Sequence, residues 1–167
     1  MTHAENKLRW CLRKAGGEGR KHRGLREIKP DPHEAYDHIK KAEHNLAVME
    51  YLIRGGFNDW AIHASFYAHY HCLLAILQKF GYESRNQECT FAAIEYFIEQ
   101  GKINLEKTDI HKIFAVDKHD KLEEADIVDL RERFQYGTET SYEERRIREL
   151  LKQAKEFIEK TKSILQI

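Results

Sequence analysis

Two sets of side chains in this 167-residue sequence have types and spacings suited to chemistry. His63, Tyr67, Tyr70 and Leu74 fall four, three and four residues apart, so on a helix they make one stripe. Ring nitrogens and hydroxyls along it would line a polar groove suited to a nucleotide base. The same stripe also fits a core margin whose polar tips find local partners. Further along, Arg131 and Gln135 share one side of a helix while Tyr136 points further round. A guanidinium there can grip an anion with two parallel donors, or pair with one of the 28 acidic residues. A phenol titrates near pH ~10, which suits Tyr136 to donating a hydrogen bond rather than to acting as a base.

The ten histidines raise the question of a metal. None of His69/His71, His111/His119 or His33/His38/His44 combines the i,i+4 spacing with the adjacent glutamate base of a helical zinc site. The sequence therefore predicts no metal and no cofactor. Gly-x-Gly-x-x-Gly and Gly-Lys-Ser/Thr strings are absent, which argues against a nucleotide-hydrolysing engine.

The elements that must position these residues read as helices. Asp31-Pro32-His33-Glu34 supplies an N-cap, a proline at the first helical position and a glutamate that reaches back. Ala35, Ile39, Ala42, Leu46, Met49 and Ile53 then line one face up to Gly55-Gly56. Asn58 is placed to cap a second helix running to Phe80-Gly81, apolar around much of its circumference and therefore central. A polar turn over residues 83–87 leads to a shorter helix with Phe91, Ile94 and Phe97 that ends near Gly101. Residues 102–120 are mixed, with one helical turn expected at Ile110–Phe114 and a charged loop at Asp117–Asp120. Ile127, Leu130 and Phe134 predict a helix from Leu122 to Phe134 closed by Gly137, and Ser141 with Glu144 predicts a capping box for a last helix of about 25 residues. No strand pattern competes. The fold class is all-α: an antiparallel up-and-down bundle of four to five helices over residues 31–167, preceded by a basic N-terminal arm, residues 1–30.

Net charge is zero, yet residues 1–30 hold nine Lys/Arg against three Asp/Glu, a local +6 balanced by −6 elsewhere. Such an arm can collect phosphates, pack on the acidic body or stay solvated. Three cysteines without a CxxC pair argue against a disulfide framework and for a reducing, cytoplasmic setting. The longest apolar stretch, around Leu73–Leu77, is too short for a membrane span, and the start lacks a hydrophobic signal core.

Three segments together resemble the HEPN family, especially its stand-alone archaeal-type members, over roughly residues 32–165. Ala61-Ile62-His63-Ala64-Ser65-Phe66-Tyr67-Ala68-His69-Tyr70-His71 is similar to the family's second helix. Ser84-Arg85-Asn86-Gln87-Glu88-Cys89-Thr90 is similar to the turn where many relatives carry a His, which this chain lacks. Leu130-Arg131-Glu132-Arg133-Phe134-Gln135-Tyr136-Gly137 resembles the Leu-Arg-x-x-x-x-Tyr signature near the end of the penultimate helix and is the most specific match. Leu8-Arg9-Trp10-Cys11-Leu12 is similar to a leader in some archaeal relatives.

The resemblance implies a dimeric module that engages RNA, a nucleotide, or a nucleotidyltransferase partner in a toxin–antitoxin pair. The ligand-binding residues expected are Arg131, Gln135, Tyr136, Tyr67, His63, Arg85 and Asn86. Active HEPN ribonucleases place a His four to six residues after the Arg, and here the matching place holds Tyr136. A metal-independent ribonuclease would therefore need Tyr136, or a His such as His71 from the neighbouring helix, as its acid–base group. A structural dimerisation scaffold is the third expectation.

Overall fold

The stripe at four- and three-residue steps becomes the inner face of α2 (Pro32–Arg54): Ala35, Ile39, Ala42 and Met49 are buried, and Leu46 and Ile53 pack on the core from its edge. The start follows its residue types, with Asp31 Oδ1 accepting from Glu34 N at 3.0 Å and Pro32 in the first turn. The computed structural model describes residues 1–115 and 118–167. Asp117, the first residue of the expected charged loop, lies outside them, and residues 118–120 form a single 3-10 turn.

After the turn at Gly55–Phe57, α3 (Asn58–Lys79) is buried around most of its girth, which makes it the central rod. Phe57, not Asn58, holds the cap position. Asn58 is the first helical residue, and its Nδ2 donates across the bundle to the Tyr142 carbonyl at 3.5 Å. The last helix, α7 (Glu144–Leu165), packs on both α2 and α3. Lys155–Glu50 and Lys162–Glu43 pairs show that it runs antiparallel to α2. Free Cys72 is buried on α3 beside Thr161 of α7. The expected Ser141 capping box does not form: Glu143 caps without a side-chain bond. Tyr142 is held edge-on against Phe134 at 5.2 Å.

Three shorter helices complete the bundle: α4 (Gln87–Glu99), α5 (Lys107–His111) and α6 (Ile127–Tyr136). The expected start of α6 at Leu122 moves to Ile127 for a clear reason. Asp126 Oδ1 caps Asp129 N at 2.8 Å, while the Ile127 and Val128 amides donate to the Lys112 and Ile113 carbonyls at 3.0 and 3.1 Å. The unpaired amides of the first turn are thus satisfied by the chain just after α5.

Residues 1–30, read from sequence as an arm, hold α1 (His3–Glu18) and the strand β1 (Leu25–Glu27). Ala4, Leu8, Cys11 and Ala15 recur at four, three and four residues and are buried against the body, enough to carry the helix through Gly16-Gly17. β1 pairs antiparallel with β2 (Tyr82–Ser84), in the register Leu25↔Ser84. Three-residue strands are too short to show alternation, so periodicity could not reveal them. Gly81, at φ +79°, turns the chain out of α3 toward β2, and a Cβ there would lie 2.8 Å from the Ile28 carbonyl oxygen.

Contrary to the expectation from an odd cysteine count, Cys11 and Cys89 form a disulfide between α1 and α4, with Cα atoms 5.8 Å apart. Parity leaves one cysteine over, Cys72, and says nothing about whether the other two face each other.

Candidate functional site

Arg131 projects from α6 toward α3, and its guanidinium lies on the Phe66 ring, 4.3 Å from the centroid. Phe66 is itself held by Tyr70, stacked at 5.4 Å, and by Tyr67, edge-on at 5.1 Å. The Tyr70 hydroxyl shares a 3.1 Å hydrogen bond with Thr90, whose hydroxyl donates to Ser84 Oγ at 2.8 Å. An aromatic platform with its polar tips tied down therefore fixes the plane of the cation.

The partners of Arg131 are neutral. Its Nη2 donates to Gln87 Oε1 at 3.3 Å, and its buried Nε finds no hydrogen-bond partner among the described residues. No ion pair to a carboxylate forms among the described residues either. Two residues on, Arg133 behaves in the opposite way, gripping Glu139 through Nε at 2.9 Å and Nη2 at 2.6 Å. Two guanidiniums on different faces of one short helix thus have different fates, and Arg131 keeps donors that no carboxylate among the described residues engages.

His63, one turn before Phe66 on α3, lies tilted against the exposed Trp60 ring, with centroids 5.4 Å apart. Burial and then the Arg131 charge push its pKa below the usual imidazole value, against a pull from Asp59. At neutral pH the ring is thereby favoured as a neutral group that can accept a proton.

The other expected site residues divide. Tyr67 is on the rim, 45% exposed. Gln135 is exposed and Tyr136 is 80% exposed at the end of α6. Asn86 spends its side chain as the α4 cap, Oδ1 accepting from Cys89 N at 3.0 Å. Arg85 donates to the Arg20 carbonyl at 2.8 Å and to Glu83 at 3.2 Å, which ties the end of β2 to the segment after α1. His71 faces α2, where its Nδ1 lies 3.0 Å from Nδ1 of His38. Sequence reasoning missed Phe66 and Gln87 as members of the site. Only the meeting of α3, α4 and α6 brings either one to Arg131.

Helices packed round a central α3, with one short two-stranded pairing and an arginine laid on Phe66 where α6 meets α3, define a mostly helical bundle. The HEPN domain family model matches residues 35–164, and the chain belongs to that family. No curated protein matches it.

Proposed function

We propose that the chain is a HEPN module that binds RNA or a nucleotide through an anion site centred on Arg131, as a homodimer or beside a nucleotidyltransferase partner of the toxin–antitoxin kind. The observation that carries this reading is the state of Arg131: stacked on Phe66, steadied by a neutral amide and lacking a carboxylate counter-ion among the described residues. Part of the desolvation of that cation is already spent in folding, so a phosphate oxygen meets an oriented, uncompensated charge.

The basic segment supports the same reading. Lys7 of α1 pairs with Glu88 at 2.7 Å, next in sequence to Gln87, so α1 and Arg131 both engage the first turn of α4. Trp10 is 42% exposed, with Lys7 and Lys14 ammonium groups 4.3 and 5.0 Å from its ring. Both ammonium groups lie over the indole, so this patch supplies positive charge for a phosphate rather than an open face for a base.

Fluorescence anisotropy with labelled single-stranded RNA over a salt series tests the proposal. Affinity is expected to fall with salt, and Arg131→Gln to weaken binding roughly tenfold and lower the salt slope by about one. Salt-independent binding, or a variant that binds as the parent does, would sink it. Light scattering on the same protein reads the homodimer.

A metal-independent ribonuclease is the second reading, and the observation favouring it is His63, whose ring feels the Arg131 charge. With Tyr136 largely in solvent and His71 turned to α2, His63 is the acid–base group the geometry offers. Cleavage of RNA in excess chelator that disappears in both Arg131→Gln and His63→Ala supports this reading, and binding without cleavage rejects it.

A further inference from the structure

A second group of ligand-type side chains lies further along α4. Glu95 follows Gln87 by eight residues, about 12 Å along the helix axis. There Glu95 of α4, His111 at the end of α5 and Asp120 of the 118–120 turn bring one imidazole nitrogen and two carboxylate oxygens within 4.8 Å of one another. His111 Nε2 is 3.6 Å from Glu95 Oε1 and 3.9 Å from Asp120 Oδ2.

Burial makes this more than a chance meeting of charges. Glu95 and His111 are 3% and 6% exposed, and Glu95 Oε2 and His111 Nε2 have no hydrogen-bond partner among the described residues. Polar atoms withdrawn from water without a partner cost stability unless something else engages them. A ligand nitrogen and oxygen bound to one zinc-like ion at tetrahedral angles lie about 3.4 Å apart, so the observed separations need only a small side-chain adjustment.

We propose that Glu95, His111 and Asp120 bind one divalent transition-metal ion of the zinc class, which pins α5 and the 118–120 turn to α4. Imidazole among the ligands favours zinc, cobalt or nickel over magnesium or calcium. Three protein ligands leave a coordination position for water. Lys107 does not compete strongly: its ammonium is 3.6 Å from Glu95 Oε1 but 2.7 Å from Glu99 Oε1, so Glu99 neutralises it and Glu95 can turn to the ion. The sequence expectation of no metal rested on spacing within one helix, whereas these ligands come from three elements.

The test uses the full chain, stripped with chelator, dialysed, and titrated with Zn²⁺ by calorimetry and with Co²⁺ by visible absorption. One equivalent should bind. Loss of a ligand's supporting group alone costs roughly 10- to 100-fold in affinity, so His111→Ala and Asp120→Asn should each weaken binding at least that much and abolish the Co²⁺ bands. Asp120 sits on a partly exposed turn, so its variant should keep the parent circular dichroism. The double variant His38→Ala/His71→Ala, which removes the close histidine pair between α2 and α3, should bind as the parent does. No stoichiometric binding by the parent, unchanged binding in both ligand variants, or loss only in the His38/His71 variant overturns the proposal.

Discussion

His69 is 3% exposed on α3, against Phe157 at 5.3 Å, with its Nδ1–H donating to the Ser65 carbonyl at 2.8 Å. Burial pushes its pKa down to about 4 from 6.5. The folded state thus holds this ring neutral where the unfolded chain would protonate it. Its contribution to stability is fully present above pH 6.5 and is lost as pH falls toward 4. From pH 7 to pH 5, His69 alone should remove about 2 kcal/mol of unfolding free energy. Urea melts at the two pH values check this, and His69→Gln should flatten the difference; an equal slope in parent and variant would refute it. His38 and His71 act in the same direction, both lowered first by burial, His71 to about 4. Their 3.0 Å Nδ1 to Nδ1 contact needs one ring to donate and the other to accept, so the pair cannot take up both protons and keep it. At this scale the sequence was a fair guide to candidates and a poor one to company. Arg131, His63 and Tyr67 gather about Phe66, while Asn86 and Arg85 are consumed by capping and loop bonds that need knowledge of where α4 begins.

Among the elements, α2 was readable to its ends because cap, proline and apolar steps all agree. The same four-three-four rhythm ran through Ala4, Leu8, Cys11 and Ala15, yet dense positive charge and a glycine pair made the segment look like an arm. What holds that helix in place is tertiary. The Thr2 hydroxyl donates to Glu99 at 2.6 Å, Lys7 pairs with Glu88, and the Cys11–Cys89 bond spans 78 residues of sequence. Closing a loop of that length removes unfolded-chain entropy worth about 4 kcal/mol. A reductant should therefore lower the thermal midpoint of the parent markedly and leave Cys11→Ser unchanged; a parent midpoint indifferent to reductant would contradict this. The start of α6 was misplaced by five residues because its first amides are satisfied by the chain after α5, which nothing local to Leu122 announces.

For the molecule as a whole, the bundle is organised round α3, and the +6 of residues 1–30 lies against a body of opposite sign. No helix among the described residues is long and apolar enough to cross a membrane. That arrangement has a use in the laboratory. Cys72 is wholly shielded between α3 and α7, and burial pushes its thiol up to about 12, while the other two cysteines are bonded. Since only the thiolate attacks an alkylating reagent, Cys72 should stay unmarked in the native protein. At reagent concentrations where labelling outpaces reclosing, its marking rate in increasing urea should equal the rate at which the last helix parts from the central one. A single sulfur atom then serves as a stopwatch for the opening of the interior, already installed and needing no engineered label.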